Sequence, residues 1–533
     1  MTKYVFFTYG IIEGYQKGII AASTALLLRA RGLKVTAAKI EPYVQLDGKN
    51  LDPGYIFVTR DGCAVVEEIG NYERFVDAGV PGSHYITSGQ VFHGLVEKER
   101  AGGFLGRSVT LVGDGTDRMQ ELIEAAAKGA DVCIIELGAE IDPPDVQTWL
   151  EAIDEFQNRV GEDNVAFIHV VPLLHLPDDN RTIITKPAFD SHRSIITNGS
   201  TPDMIACVCS NALTDEIKEK ICFQPTEVIA INRVPTSYHF PMLLQRQKVA
   251  EFLANKLKLD NIQVSEEQKR SGEQVIQAWK RLIASYDNSS QTVTIALVSK
   301  YQQNLHISVN QSLEHACVYC GYQLAIKWID GSDLEPEAET AFPTRYRDAW
   351  DSLANANGVI VPDGFAHQDI EGTIAAVRYA REHGVPFLGI GLGFQAAVLE
   401  FARNVCKTAE IDSSSQQSVF VIDKNTACVQ SILFCNEHEG LKSREVYRSR
   451  QITERYLKQY KIDSPGFLQT IEENGMFVVA GDESKTRVDI VELKEHPFFI
   501  GTQFRPEYAS QPLHPAPLFL GLILASAGSS VLR

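Results

Sequence analysis

The sequence predicts an α/β protein with two domains, each built on a sheet of strands that alternate with helices. Two observations support this prediction. Apolar, β-rich runs alternate with helical patterns along the chain, which is typical of parallel strands covered by helices on both faces. The length of 533 residues also exceeds what one hydrophobic core usually serves.

The alternation occurs in two series. The first contains "KYVFFTY", "KGIIAASTALLLRARG", "KVTAAKI", "DVCIIELG", "VAFIHVVPLL" and "MIACVCS". Between about 263 and 291 the chain becomes polar, which indicates a connecting helix and linker. The second series begins at "TVTIALVSKY" and continues through "YQLAIKWID", "GVIVPDG", "GVPFLGIG" and "HPFFIGTQF". We therefore predict domains at 1–265 and 291–533, joined by a linker at 266–290.

Composition and charge narrow the classes of function. A hydrophobic content of 44% with 22% charged residues is typical of a globular protein. The formal net charge of −18 opposes binding to nucleic acid, since no basic patch counters it. The N-terminus lacks a cleavable apolar segment, and 517–532 is too short and too rich in Gly and Ser for a membrane span, so a packed terminal helix is expected. The sequence therefore predicts a cytoplasmic protein with neither nucleic-acid nor membrane partners.

The ten cysteines are scattered, which fits a reducing compartment. Cys317 and Cys320 have the spacing of half a zinc site or a redox pair. No second Cys/His pair with matching spacing accompanies them in the sequence, so a buried structural role is favoured.

Two loops have the form of functional sites. In "TYGIIEGYQKGIIAAS" (8–23), a strand leads into a glycine-bearing loop and a helix that starts close to Lys17. Backbone amides, a helix N-terminus and a lysine favour phosphate, but the spacing departs from G-x-x-x-x-G-K-[ST], so the pattern alone also fits an ordinary loop. The second loop, "GIGLGFQ" (389–395), has the form of a turn that presents a nucleophile, yet Gly391 is at its apex.

Several motifs in series give the chain a resemblance to a known family. "YGIIEGYQKGI", "ARGLKVTAAKI", "EPYVQLD", "GNYERF", "KERAGGFLG" and "TKP" follow one another in the first half, and "VPDGFA", "GIGLGFQAAVLEFAR" and "QFRPE" follow in the second. In this order they resemble CTP synthase. The resemblance covers nearly the whole chain. It implies a P-loop-type amidoligase domain with a parallel sheet, followed by a class I glutamine amidotransferase-like α/β domain.

CTP synthase uses ATP to phosphorylate the 4-oxygen of UTP, and ammonia released from glutamine then displaces the phosphate. The resemblance therefore implies ATP and Mg²⁺ as cofactors. It implies catalytic phosphate contacts at Lys17 and Lys39. The positions implied to bind nucleotide are Gly14, Lys17, Gly18, Lys186 and Lys220.

Two acidic residues match the magnesium ligands of the family. Glu136 matches a metal-binding carboxylate, and Glu68 stands where the family has an aspartate. Glutamate keeps the oxygen ligand that magnesium requires, although its extra methylene shifts the ion. The alternative is that Glu68 is a solvated charge and Glu136 a charge at a strand end.

The nucleotide sites depart from the family pattern. Glu13 and Gly14 replace two loop serines, which places a carboxylate where triphosphate oxygens would lie and weakens the case for ordinary ATP binding. Around the pyrimidine, the altered positions are Pro143, Ile184, Phe189 and Asp190. Because unpaired polar groups on a substrate each cost about 1–3 kcal/mol, we expect an acceptor other than UTP.

The glutaminase site departs further. By position, Gly391 replaces the nucleophilic cysteine and Arg505 replaces the histidine base, while the orienting acid is retained as Glu507. The oxyanion strand begins with Asp363, whose charge would oppose a developing oxyanion. We therefore expect no glutamine hydrolysis, and a structural ion pair between Arg505 and Glu507.

Two functions remain open. The first is an ATP-dependent C–N ligase that uses free ammonia or another amine with an unidentified small-molecule acceptor, in a specialised biosynthetic pathway. The second is a pseudoenzyme, an inactive paralogue that binds nucleotide, regulates or acts as a scaffold. The retained Lys17, Lys39, Glu68 and Glu136 favour the ligase. The resemblance implies a homotetramer, and the pseudoenzyme would pair with a true CTP synthase.

Overall fold

The computed structural model describes most of the chain. The described residues are 1–10, 16–51, 53–76, 79–140, 144–176, 179–210, 213–222, 227–300, 306–364, 370–407, 420–422, 428–435, 440–462, 465–482 and 487–529. The chain divides into two compact units. The N-terminal unit comprises Met1–Asn50 and Glu68–Lys280, and the C-terminal unit comprises Leu51–Glu67 and Arg281–Arg533.

A parallel seven-stranded sheet forms the centre of the N-terminal unit. Its strands, in spatial order, are Glu227–Asn232, Met204–Cys209, Val165–Pro172, Lys3–Tyr9, Val132–Glu140, Val35–Glu41 and Tyr85–Thr87. The apolar run of the central strand is continuous because both of its faces are covered: every residue from Tyr4 to Tyr9 is buried.

Helices connect these strands. They are Gln16–Ala30, Ile69–Val76, Ser88–Arg100, Thr116–Ala127, Pro144–Val160, Lys186–Thr197, Asp215–Ile221, Phe240–Arg246, Val249–Lys256 and Glu266–Asp287. The last of them occupies most of the predicted linker. A two-stranded sheet of Leu174–Leu176 and Asp179–Ile184 is also present.

Strand register positions the charged residues of this unit. Lys39 is opposite Glu136 on the neighbouring strand, and Phe7 is opposite Glu136 on its other side. Glu136 therefore lies on a strand between two others, where side chains are removed from water. The lysine and the glutamate are brought together by the sheet itself rather than by a loop.

A mixed nine-stranded sheet forms the centre of the C-terminal unit. Its parallel strands, in spatial order, are Gln323–Ile329, Thr292–Val298, Gly358–Val361, Phe387–Ile390 and Phe499–Thr502. Antiparallel strands continue it as Val488–Leu493, Met476–Gly481, Val429–Phe434 and Gln451–Arg455. The α/β class predicted for both halves is confirmed, whereas the antiparallel strands were not predicted.

Helices cover both faces of this sheet. They are Ile307–Cys320, Pro336–Ala341, Pro343–Ala354, Ile370–His383, Leu392–Asn404, Lys442–Tyr447, Pro465–Glu473 and Pro517–Ser526. Alternate residues of Thr292–Val298 belong to two separate apolar clusters, one for each face. The terminal helix is packed, as expected, with Leu518, Phe519 and Leu522 fully buried. Among the described residues, no helix is long and apolar enough to cross a membrane.

A hairpin from early in the chain belongs to the C-terminal unit. Its strands are Ile56–Val58 and Ala64–Val66. The Arg455 guanidinium donates a hydrogen bond to the carbonyl of Val58 at 2.7 Å, and the Phe57 ring meets the Tyr508 ring edge-on at 5.3 Å between centroids. A second two-stranded sheet pairs Phe420–Ile422 with Tyr460–Ile462. The C-terminal unit therefore includes residues 51–67 from early in the chain, and these residues interrupt the N-terminal unit.

Candidate functional site

The Lys39–Glu136 pair forms the centre of a charged cluster in the N-terminal unit. Lys39 Nζ lies 2.9 Å from Glu136 Oε1 and 3.5 Å from Glu41 Oε1. The Lys39 and Glu136 side chains are 1% and 0% exposed. Removing a charge from water so completely is costly unless an opposite charge is close. Each partner is therefore the main counter-ion of the other.

Two tyrosines complete the surroundings of Glu136. Tyr72 donates its hydroxyl hydrogen to Glu136 Oε2 at 2.8 Å, and Tyr9 also forms a side-chain hydrogen bond with Glu136. Burial, followed by the charge of Glu136, raises the pKa of both phenols well above the usual value. Both phenols therefore stay protonated donors at neutral pH, and they hold the Glu136 carboxylate in one orientation.

Glu68 brings a second carboxylate to the start of the first helix. Glu68 Oε2 is buried and has no hydrogen-bond partner among the described residues. A Cβ placed on Gly18 would lie 3.3 Å from Glu136 Oε2 and 3.5 Å from Glu68 Cβ. The two acids therefore flank the first turn of Gln16–Ala30. A buried oxygen without a partner costs about 1–3 kcal/mol, so a ligand that met this oxygen would recover that cost.

The cluster carries more acid than base. Glu136, Glu68 and Glu41 all act on Lys39, so a formal excess of two negative charges remains among these described side chains when every group is ionised. Burial alone would lower the pKa of Lys39, but these three carboxylates raise it above its usual value. Burial raises the pKa of Glu41 to about 7, against the opposing effect of Lys39. The cluster therefore favours an additional cation.

Gly391 forms the apex of a sharp turn in the C-terminal unit. The turn joins the strand Phe387–Ile390 to the helix Leu392–Asn404, and Gly391 has φ +55° and ψ −101°. Residues other than glycine adopt such a backbone only under strain. A Cβ at this position would lie 2.5 Å from both Cγ and Oδ1 of Asp363. No side chain fits here unless Asp363 moves.

The Asp363 carboxylate is bonded through both oxygens. Its Oδ1 accepts hydrogen bonds from the backbone amides of Gly364 at 3.0 Å and Leu392 at 3.1 Å. Its Oδ2 lies 2.5 Å from Arg505 Nη2. Paired backbone amides of this kind stabilise a developing oxyanion in acyl-transfer enzymes. Here the chain's own carboxylate occupies them.

Arg505 lies between two acids. In addition to Asp363, Arg505 Nη1 is 3.6 Å from Glu507 Oε1. The predicted Arg505–Glu507 ion pair is present, but the shorter contact is with Asp363. Burial raises the pKa of Glu507 to about 7, although Arg505 opposes this. Arg505 is therefore paired more closely with Asp363, at 2.5 Å, than with Glu507, at 3.6 Å.

Comparison with known proteins covers both units. Residues 3–259 match the family described as CTP synthase N-terminus, and residues 303–525 match glutamine amidotransferase class-I. The chain is 38% identical to CTP synthase of Candida glabrata over 99% of this chain and 96% of that protein. The chain belongs to the CTP synthase family.

Other members show similar coverage. CTP synthase 1 of Homo sapiens is 36% identical over 99% of this chain and 93% of that protein. Among solved structures, the chain is similar to the glutaminase domain of Trypanosoma brucei CTPS with bound acivicin. That similarity has 29% identity and a TM-score of 0.39, and it covers 45% of this chain and 95% of that one.

The residues present in this CTP synthase family member fit a magnesium ion held jointly with a nucleotide. Among the described residues, no group of three or more His, Cys, Asp or Glu is placed to hold a metal by itself. Magnesium in phosphate sites commonly takes one or two carboxylates and completes its shell with water and phosphate oxygens. Glu68 and Glu136 supply that number, and the unpartnered Glu68 Oε2 is the observation that favours them.

The remaining predicted contacts are more scattered. Gly14 lies outside the described residues, and of Lys17 only the backbone, at the start of Gln16–Ala30, is described. Lys186 begins the helix Lys186–Thr197 and is exposed. Lys220 bonds Glu216 one turn earlier in its own helix at 2.6 Å. The structure therefore groups Gly18, Lys39, Glu68 and Glu136, and leaves Lys186 and Lys220 at exposed positions.

The residues expected to alter the acceptor site are partly described. Ile184 ends the strand Asp179–Ile184, and Phe189 and Asp190 lie in the helix Lys186–Thr197. Asp190 is exposed and Phe189 is half-buried. Glu13 and Pro143 lie outside the described residues.

Sequence reasoning missed several members of both sites. Tyr72 was within the "GNYERF" motif that carries the family resemblance, so its helical position was the available signal. Tyr9 and Glu41 end the two strands that flank Val132–Glu140 in one sheet, and buried polar side chains often converge at such strand ends. The contact between Asp363 and Gly391 had no sequence signal, because it depends on the packing of two separate turns.

Proposed function

We propose that this chain is an ATP-dependent C–N ligase that takes its nitrogen from free ammonia or another amine instead of glutamine. The observation that carries this proposal is the cluster at Gly18. Lys39 and Glu136 remain paired there, and Glu68 presents a buried oxygen that no described residue bonds. A scaffold has no chemical use for such an oxygen, which costs stability.

The roles follow from charge and position. Gly18 and Lys17, in the first turn of Gln16–Ala30, would bind phosphate through backbone amides and an ammonium group. Glu68 and Glu136 would hold magnesium, which neutralises charge on the phosphates of ATP when bound. Tyr72 would keep Glu136 oriented. Lys39 would offset the charge of the carboxylates and contact the transferred phosphoryl group.

The reaction has two steps. The γ-phosphoryl group of ATP is transferred to an oxygen of the acceptor, leaving ADP. The nitrogen of ammonia then attacks the carbon that carries this oxygen, the C–O bond breaks, and inorganic phosphate leaves as a proton is lost from nitrogen. Positioning and charge neutralisation supply most of the catalysis in such phosphoryl transfers.

The acceptor is proposed to be a small molecule other than UTP. The support comes from Ile184, Phe189 and Asp190, which are apolar or acidic where the family pattern has polar or basic residues. The curated relatives are named CTP synthase, so UTP is the reference substrate for testing this part. The assembly is proposed to be a homotetramer, which native mass spectrometry of the purified protein would test.

Titration calorimetry with ATP and Mg²⁺ tests the proposal. We expect micromolar binding by the unaltered protein. Lys17→Ala should weaken binding by about 1.5–3 kcal/mol, the range for a hydrogen bond to a charged group. Glu136→Gln should remove the magnesium dependence and leave some metal-free binding. If both variants titrate like the parent, the ligase proposal fails.

A second function, an inactive paralogue that acts as a scaffold, is favoured by one observation. Both Glu136 oxygens already have protein partners, Lys39 and Tyr72. A scaffold would show no ATP binding up to millimolar concentration. It would also associate with an active CTP synthase when the two are mixed, which native mass spectrometry would detect.

A further inference from the structure

The pocket at Gly391 contains an ion pair with an unusual set of neighbours. Asp363 Oδ1 receives two backbone amides, and Oδ2 contacts Arg505, whose side chain is only 10% exposed. One of these amides belongs to Leu392, the first residue of the 13-residue helix Leu392–Asn404. Amides at a helix start together with a buried guanidinium form a strong anion site.

We propose that this pocket is an anion-binding site whose ligand is the chain's own Asp363 carboxylate, and that removing this carboxylate creates a site for a small external carboxylate such as formate. The inference does not depend on the proposed ligase function, because it concerns only the C-terminal unit. It assigns Asp363 the place of a bound ligand.

The space around Gly391 supports this assignment. A Cβ on Gly391 would come within 2.5 Å of Asp363 Cγ and within 2.8 Å of Asp363 Cβ. Real Cβ atoms are not found so close to other heavy atoms. A side chain at position 391 and the Asp363 carboxylate therefore cannot occupy this space together. Asp363 reaches the two backbone amides because residue 391 is a glycine.

The charges around Arg505 support it as well. Among the described residues, Glu507 at 3.6 Å is the acid that remains paired with Arg505 once Asp363 is removed. Arg505 Nε already has no hydrogen-bond partner among the described residues. A buried guanidinium left with one distant acid and two unused amides beside it would bind an anion of the size of the lost carboxylate group.

Formate titration of Asp363→Ala tests the proposal. The full-length protein is melted in sodium formate and in sodium chloride at equal ionic strength. Formate should raise the melting temperature of Asp363→Ala by about 2–4 °C more than chloride does, as expected for a ligand at roughly ten times its Kd. The unaltered protein should show no difference between the two salts, because its site is filled.

Asp333→Ala is the matched control. Asp333 pairs with Arg345 at 2.9 Å, and the Arg345 side chain is 55% exposed. This variant therefore also frees an arginine, but in solvent. It should show no formate-specific gain. If Asp363→Ala gains no more from formate than Asp333→Ala or the parent, the proposal is wrong.

A double-mutant cycle gives a second test of the assignment, and its first step, Gly391→Ala in the otherwise unaltered protein, does not require that an Asp363 variant folds. Gly391→Ala should lower the melting temperature of the parent, since the added Cβ would displace the Asp363 carboxylate from its hydrogen bonds with the two backbone amides. In an Asp363→Gly background the further loss on Gly391→Ala should be smaller, because only backbone strain remains. An equal loss in both backgrounds would overturn the assignment of Asp363 to the pocket.

Discussion

Each unit contains a buried cation beside two or more carboxylates, but these carboxylates are bonded differently in the two sites. In the N-terminal unit, Lys39 is outnumbered by acids and Glu68 Oε2 has no described partner. In the C-terminal unit, Arg505 bonds one oxygen of Asp363, and the other oxygen accepts a hydrogen bond from a backbone amide of the turn. Similar side chains thus leave an excess of carboxylates around Lys39 among the described residues, whereas the amides beside Arg505 are occupied by a carboxylate of the chain itself.

This contrast shows that membership of the family and the function of each site are separate questions. Both units keep the strand and helix framework of the CTP synthase family, so the framework alone does not reveal activity. What differs is the state of individual polar atoms. Glu68 keeps a buried oxygen that no described residue bonds, whereas both oxygens of Asp363 are bonded by the chain itself.

Removing either cation should give the largest effect. Lys39→Met and Arg505→Met each leave buried carboxylates without a counter-ion, so each should lower the free energy of unfolding by about 3–5 kcal/mol. Urea denaturation measures this. The exposed Lys218, 3.8 Å from Asp215, provides the control, since Lys218→Met should change stability by less than about 0.5 kcal/mol.

The same two variants should differ in activity. Only Lys39→Met should abolish ATP-dependent ligation or hydrolysis when assayed under conditions where both variants remain folded. Loss of activity in Arg505→Met as well would mean that the site at Arg505 is needed for the reaction, and that the two sites do not differ in this respect.

Filling the turn should have an intermediate effect. Gly391→Cys should lower the free energy of unfolding by about 1–3 kcal/mol through overpacking against Asp363, in addition to the cost of backbone strain at φ +55°. It should release no ammonia from glutamine, because Arg505 stays charged and cannot act as a base: burial alone would lower its pKa, but Tyr508, Asp363 and Glu507 raise it. A coupled ammonia assay tests this, and any release above buffer background would contradict it.

Gly475→Cys is the control for backbone strain. Gly475 has φ +104° and no heavy atom within 4 Å of an added Cβ. Gly475→Cys therefore introduces backbone strain without a steric clash, and it should lower the free energy of unfolding by only about 1–2 kcal/mol. If Gly391→Cys costs no more than Gly475→Cys, Asp363 does not occupy the space at Gly391.

Changing the unpartnered oxygen should affect magnesium more than folding. Glu68→Gln should raise the magnesium concentration needed for half-maximal ATP binding about tenfold, equivalent to about 1.4 kcal/mol. The free energy of unfolding should stay the same or rise, because Glu68 Oε2 has no described partner to lose. Glu121→Gln, at a 57% exposed side chain, should leave both quantities unchanged. An unchanged magnesium response in Glu68→Gln would remove Glu68 from the metal site.

The pH dependence of stability should show the smallest effect. Burial raises the pKa of Glu507 from 4.5 to about 7, so the folded state binds more protons than the unfolded state between these values. The stabilisation is complete below about pH 4.5 and is lost as the pH rises through 7. The free energy of unfolding of Glu507→Gln, measured with urea at pH 6, 6.5 and 7, should therefore decline less with pH than that of the parent, by roughly 1 kcal/mol over this range. An identical decline would mean that Glu507 is ionised in the fold throughout.

Much of the fold was predictable, because buried parallel strands have a strong sequence signal. "KYVFFTY" and "DVCIIELG" are continuous apolar runs between helical segments, and both became central strands. The antiparallel strands Val429–Phe434 and Gln451–Arg455 lack that signal. They are short, partly exposed and follow no strand–helix alternation, so their pairing depends on contacts with distant parts of the chain.

The sites were predictable to a similar extent. Lys39, Glu136 and Gly391 belong to motifs, so their roles were proposed from the sequence. That both Glu136 oxygens would be bonded, or that Asp363 would enter the amides beside Leu392, depends on distances of a few ångströms. Such distances are set by side-chain packing in the folded protein, and the order of residues along the chain does not predict them.

The early hairpin has a consequence for how the chain is made. Residues 51–67 leave the ribosome long before their partners in the C-terminal unit, such as Arg455 and Tyr508. All residues of the N-terminal unit have been synthesised once the ribosome passes Lys280. We therefore expect this unit to fold before the partners of the strand pair at 51–67 have been made. Cutting the gene between the halves would separate that strand pair from its partners, and an isolated second half would be produced without part of its own structure.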